Sequence, residues 1–316
     1  MYAIKELPKD FLVKEIPLYK LDENGSYSYF WLTKKDYTTM NAVKRIATAL
    51  NIPIKKIGFA GLKDRKAITK QIISIKASKE KVEALKFKDI KLSYVGQGIK
   101  PISLGDLEGN EFVITVRDLT TRRLKHGEII PNLFGPQRFS KNNIEIGRAL
   151  IQRDFQTAME LIDQEEVKHH LEEFPGDFIG ALRKIPLRTR KIYIHAYQSF
   201  LWNKTVKEFI KLNKAKNREI PIIGFGTDVE FIQNPDLKEI IKNILNEEEI
   251  STRDFIMSAI KELSAEGSQR KLFVIPKKIE VITEDDELNQ GKIKTVISFT
   301  LPKGSYATVV IDYFFQ

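Results

Sequence analysis

A chain of 316 residues, 42% hydrophobic and 30% charged, is long enough for two domains and reads as a globular protein. It has no cysteine, which excludes disulfides, thiol chemistry and Cys-ligated zinc or iron–sulfur centres. The net charge of +10 is concentrated early, since residues 1–146 carry 27 Lys and Arg against 16 Asp and Glu.

Such a basic half-chain favours a polyanionic partner, nucleic acid before a membrane surface. The basic residues are dispersed and form no amphipathic Lys/Arg helix, which argues against the membrane. No apolar run approaches the roughly 18–20 residues that span a bilayer. The N-terminal MYAIKELPKDF has no apolar signal core, so a cytoplasmic location is expected. His126, His169, His170 and His195 show no metal-ligand spacing, and no metal is expected.

In chain order, residues 10–19 and 27–33 read as strands separated by a DENGS turn. Thr38 or Thr39 caps a helix through about Leu50, with Met40, Val43, Ile46, Ala47 and Leu50 along one face. A strand over 71–75, a helix near 79–87 and a strand around 91–96 follow. Residues 111–117 alternate, placing Phe112, Ile114 and Val116 on one face. A helix is expected near 120–128, then a loop in PNLFGPQRF (131–139), enforced by Pro131, Gly135 and Pro136. From about 143 to 265 the sequence is near-neutral and helix-rich. Strands are expected again over 292–302 and 305–315. Strand-rich ends around a helical middle predict an inserted domain, with the terminal strands rejoining the first sheet.

Between the helix after Thr38 and the strand at 71 lies GFAGLKDRKAITKQ (58–71), in which Asp64 is the sole carboxylate among Lys63, Arg65, Lys66 and Lys70. Asp is common in turns for its local hydrogen bonding. The alternative is an ionised catalytic carboxylate, which neighbouring cations would favour. A nuclease would want clustered carboxylates for metal ions, and Asp64 has no acidic neighbour. A methyltransferase would want a glycine-rich cofactor turn opening a helix, and GFAG (58–61) is too short for one.

The loop AGLKDRKAITKQ, with PNLFGPQRF, resembles the TruD family of tRNA pseudouridine synthases. Five further segments fit in order: PKDFLVKE, LGDLEGNEFVITVRD (104–118), AYQSFLWN (196–203), RKLFVIP (270–276) and LPKGSYATVV (301–310), the last taken as a strand. The resemblance implies an α+β fold. Its pseudouridine-synthase core, a mainly antiparallel mixed sheet flanked by helices, would comprise residues 1–146 and 269–316. Residues 147–268 would form the inserted helix-rich domain. It also implies isomerisation of uridine to pseudouridine in tRNA, at nucleotide 13, by a monomer without cofactor; other structured RNAs are modified by some relatives.

By the same resemblance Asp64 aligns with the catalytic aspartate. Phe11, Asn132, Phe134 and Tyr306 align with positions around the target base, and Lys5 and Glu15 with charged positions flanking the first strand. Lys63 and Arg65 complete the expected site, as cations beside Asp64 and receivers of phosphate. The chemistry suits such a set. The N1–C1′ bond breaks, the uracil turns and C5 joins C1′, with no redox step and no hydrolysis. The nucleotide must be extruded, which costs a few kcal/mol of stacking. An aromatic face recovers about 1–3 kcal/mol per base, and an amide such as Asn132 can read the uracil edge. The rival reading is a structured-RNA-binding protein without catalysis, which explains the charge and the aromatics but needs no lone Asp in a basic turn.

Overall fold

The computed structural model describes residues 2–121, 124, 129–140, 142–212 and 217–315. They form two units, 1–130 with 275–316, and 131–274. The sequence reading had set the boundaries at 146 and 268.

The first unit opens with β1 (Ala3–Ile4), β2 (Phe11–Pro17), β3 (Tyr27–Lys35) and α1 (Thr39–Leu50). It continues with β4 (Ile57–Phe59), β5 (Ile68–Ile75), α2 (Lys79–Glu83), β6 (Ile90–Gly98) and β7 (Leu107–Leu119). A two-residue strand, β8 (Ile130–Pro131), stands at the boundary. Residues 122, 123 and 125–128, and with them most of the helix expected over 120–128, the basic side chains Arg122, Arg123 and Lys125, and His126, lie outside the described residues.

The second unit holds α3 (Asn143–Ile151), α4 (Phe155–Leu161), α5 (Glu165–Glu173), α6 (Phe178–Lys184) and the long α7 (Leu187–Lys211). After these come β9 (Glu219–Ile222), α8 (Pro235–Glu247), β10 (Ser268–Lys271) and β11 (Phe273–Val274). Its core gathers around Tyr197, Leu201, Trp202, Phe209 and Phe255. β10 pairs antiparallel with β9.

The chain then returns to the first unit through β12 (Lys277–Asp285), β13 (Ile293–Pro302) and α9 (Ala307–Phe314). The nine-stranded sheet runs β12-β13-β7-β2-β5-β3-β6, with β1 added to β7 and β4 to β5. Only the β2–β5 pairing among the described ladders is parallel; the others in this sheet are antiparallel, giving the expected mainly antiparallel mixed α+β fold. The strand β12 was not foreseen from sequence. Its side chains are exposed on both faces, so it lacks the alternation that marks a half-buried strand.

α9 corrects the strand expected over 305–315. ATVVIDYF is rich in β-branched and aromatic residues, which favour strands locally. Its buried residues, however, are Ala307, Val310, Ile311 and Phe314, the i, i+3, i+4, i+7 pattern of a helix face. Tertiary burial outweighs propensity here. The Tyr2 hydroxyl donates to Asp312, and Tyr2 meets Phe315 at 5.5 Å between ring centroids, tying this last helix to the start of the chain.

α1 forms where expected. Thr38 caps it by accepting from the Asn41 N–H, and Asn51 ends it in the left-handed conformation that Asn tolerates. Its face of Ala42, Val43, Ile46 and Ala47 packs on Phe30, Leu32, Ile73 and Ile75 of the sheet. Elsewhere in the sheet Phe112 stacks on Phe299 and meets Phe11 edge-on. One end is locked by buried Arg117, whose guanidinium grips Asp10 at 2.8 and 3.0 Å and Asp286 at 2.7 Å. Glu287, on the partly exposed side, completes this cluster at 3.1 Å.

Candidate active site

The loop holding Asp64 is fixed to the sheet by a run of buried polar side chains. Gln71, fully buried on β5, donates through its amide to the Gly61 carbonyl at 2.9 Å. Thr39, the first residue of α1, donates to Gln71 at 2.9 Å and accepts the Lys63 backbone N–H at 2.9 Å. Lys34, also buried, donates to the carbonyls of Tyr37 and Asp64, the latter at 2.8 Å. Farther along, Asp36 donates its N–H to the Ala67 carbonyl, and Ala67 to that of Arg65. Loop backbone is thus satisfied at positions 61, 63, 64, 65 and 67 without using the Asp64 carboxylate.

That carboxylate, with a side chain 36% exposed, pairs with Lys5 at 2.6 Å. Lys5 arrives from β1 in a left-handed conformation, φ 59°, and its Nζ lies 4.1 Å from the centre of the Phe11 ring. The expected partners were Lys63, Arg65 and Lys66. Lys63 instead points into the sheet, where its ammonium meets Glu15 at 2.8 Å and Asn110 at 2.6 Å. Glu15 also accepts the Ile72 N–H at 3.1 Å. Arg65 and Lys66 are exposed. A residue next to Asp64 in sequence shares its backbone direction only if the turn allows it; here the buried Glu15 takes the nearest cation.

Burial lowers the Lys34 ammonium from its ordinary 10.5 to about 8; the charge of Asp64 opposes this drop and that of Lys63 adds to it. Lys34 was not read as a site residue, although the period-two pattern puts it on the same face as Phe30 and Leu32. A charge on a core-facing strand position was the available signal. Gln71 and Asn110 were missed likewise.

Of the expected residues, Lys5, Phe11, Glu15, Lys63 and Asp64 come together. Phe11 is only 2% exposed, so one of its faces meets Lys5 and the rest of the ring is core. Tyr306 is the residue capping the start of α9, partly buried, not a strand residue. Asn132 and Phe134 belong to the second unit. There Asn132 donates to the Lys271 carbonyl at 2.9 Å and accepts from Arg270 at 2.7 Å. Phe134 lies in the loop expected over 131–139. Its ring meets Trp202 edge-on at 6.4 Å between centroids and carries Arg270 4.3 Å from its centre. Asn203 clasps its backbone, accepting from the N–H and donating to the carbonyl. Among the described residues no group of three His, Asp or Glu side chains is arranged to hold a metal.

A mainly antiparallel mixed sheet flanked by helices, with a clamped loop whose Asp64 carboxylate pairs with Lys5, defines the class as α+β. The model of the family tRNA pseudouridine synthase D (TruD) matches residues 2–168, 162–221 and 210–314, and the chain belongs to that family. It is 30% identical to the tRNA pseudouridine synthase D of Aquifex aeolicus (strain VF5), over 99% of this chain and 97% of that protein. A TruD relative in Thermococcus onnurineus (strain NA1) is 32% identical over 98% of this chain and 93% of its own length. A crystal structure of a Methanosarcina mazei TruD protein superposes with a TM-score of 0.76 at 26% identity, covering 99% of this chain and 93% of that one.

Proposed function

We propose that this protein isomerises a uridine of tRNA to pseudouridine, at nucleotide 13, with Asp64 as the acting group. One observation carries the reading. The fold engages the backbone along the Asp64 loop and leaves the carboxylate out of that network, 36% exposed and paired, among the described residues, with Lys5. A carboxylate with a structural task alone would be expected to cap the turn that contains it; this one does not.

In the reaction the N1–C1′ bond breaks and the C5–C1′ bond forms. The proton on C5 is lost and N1 ends protonated, so no atom is added or removed overall. Asp64 can serve as nucleophile or as base for these steps, and its second-row partners keep it in place while the base turns. Lys5 steadies the anion from the side of Phe11. Asn132, Phe134 and Tyr306 are assigned, by family resemblance, to the flipped base. The protein is taken to act as a monomer in the cytoplasm, without a cofactor.

The test is pseudouridine mapping on tRNA transcripts treated with the purified protein and with Asp64→Ala. The expected result is one modified uridine for the wild type and none for the variant, with tRNA affinity within about threefold because the lost group supplies chemistry more than phosphate contact. Product formation by Asp64→Ala would sink the assignment.

A further inference from the structure

The sheet of the first unit has two faces, and the Asp64 loop occupies the one shared with α1. Lys34, Gln71 and Glu15, which hold that loop, alternate with residues that point to the opposite face. There the ladders place Lys14 of β2 beside Lys70 of β5, Lys70 beside Thr33 of β3, and Thr33 beside Lys91 of β6. Lys35 and Ile68 sit one row away, and Trp31 one row to the other side.

Lys14, Lys35 and Lys91 are exposed, while Lys70, Trp31, Thr33 and Ile68 are partly exposed although β5 and β3 are interior strands. Among the described residues nothing buries that row, whereas one row away Trp31 packs against the buried cluster of Tyr29, Ile72, Ile102 and Leu107. Lys14 has a carboxylate partner, Glu111 at 2.9 Å. Among the described residues Lys35, Lys70 and Lys91 have none within 4 Å; Lys70 rests its ammonium 4.9 Å from the centre of the Trp31 ring.

Two lysines side by side on neighbouring strands, about 4.8 Å apart by strand spacing, repel each other and weaken the sheet. A third lysine on the same row and a fourth on the next raise that cost. Their charge is complementary to a chain of phosphates, and the flat open row with one aromatic suits a polynucleotide strand. We propose that this open sheet face is a second RNA-backbone site, in which Lys35, Lys70 and Lys91 bind phosphates of the tRNA outside the segment that reaches Asp64. Trp31 offers a ring edge or face to an unstacked base beside them. The proposal rests on tRNA being the ligand, as read above, but not on Asp64 being catalytic.

The experiment compares wild type, Asp64→Asn and the triple variant Lys35→Gln/Lys70→Gln/Lys91→Gln. Affinity for tRNA transcript is measured from low to moderate salt. The triple variant should bind on the order of tenfold more weakly, and its slope of log affinity against log salt should be shallower by about two to three units. Turnover at saturating tRNA should stay near wild type, with the loss in KM. In parallel, lysine acylation of the wild type is followed by mass spectrometry with and without tRNA, which needs no variant. Lys35, Lys70 and Lys91 should be labelled several-fold more slowly in the complex.

Unchanged affinity and salt slope in a folded triple variant would overturn the proposal, as would unchanged labelling of these lysines when tRNA is bound. Binding to vesicles of phosphatidylserine and phosphatidylcholine in place of tRNA would also overturn it, in favour of a membrane surface. Turnover by Asp64→Asn would remove the catalytic reading and leave this site standing.

Discussion

Lys5 and Asp64 lie 59 positions apart and meet at 2.6 Å, whereas the three cations nearest Asp64 in sequence do not pair with it. Sequence adjacency says which charges are available, and the ladder decides which of them meet. Lys34 shows the same rule from below. Its folded amine titrates near 8, against 10.5 when exposed, because burial disfavours the charged form. Between those values the unfolded chain binds the additional proton, so stability should rise with pH from about 8 to 10.5, by at most about 3 kcal/mol. Urea titrations at pH 7 to 10 should show that rise in the wild type and lose it in Lys34→Met. The same variant leaves the Asp64 and Tyr37 carbonyls without their donor and should cost about 1–3 kcal/mol at neutral pH. Asp64 itself was legible as a lone carboxylate. The residues that clamp it were not, because Lys34, Thr39 and Gln71 are polar side chains inside stretches that otherwise read as strand and helix.

Secondary elements were legible where local and tertiary signals agree. Thr38 followed by a one-sided apolar pattern gave α1 to within a residue at each end, and its cap is intact in the fold. Thr38→Ala should therefore lower stability by about 1 kcal/mol, read as a drop in thermal midpoint without change in the RNA chemistry. Where the signals conflict, the reading failed. The residues of α9 have strand propensity and helical burial, and the helical burial prevails. β12 has little burial of either kind and exists because β13 offers it a partner from Thr300 to Ile293.

At the scale of the molecule, Arg117 joins the beginning of β2 to the turn after β12, segments far apart in the chain. Arg117→Met should strand two buried carboxylates and cost about 3–5 kcal/mol, measured by chemical unfolding. Asp286 carries the matching acid signature. Burial acts to raise its pKa, yet hydrogen bonds from Asn289, the Asp118 and Leu288 N–H groups and Arg117 hold it at about 2. A folded value below the ordinary 3.8 means that its contribution is complete above about pH 4 and disappears as pH falls toward 2. Unfolding curves between pH 5 and 2 should steepen in that window and flatten in Asp286→Asn.

The order of strands also has a consequence during synthesis. β7 lies between β2 and β13, and β13 is made only after the whole of residues 131–274 has been translated. Until then the ribosome-bound chain carries a 13-residue strand with one unsatisfied edge and with Phe112 lacking Phe299. That edge stays open for about half of the chain's translation, and an unpaired strand edge is a template for pairing with other chains.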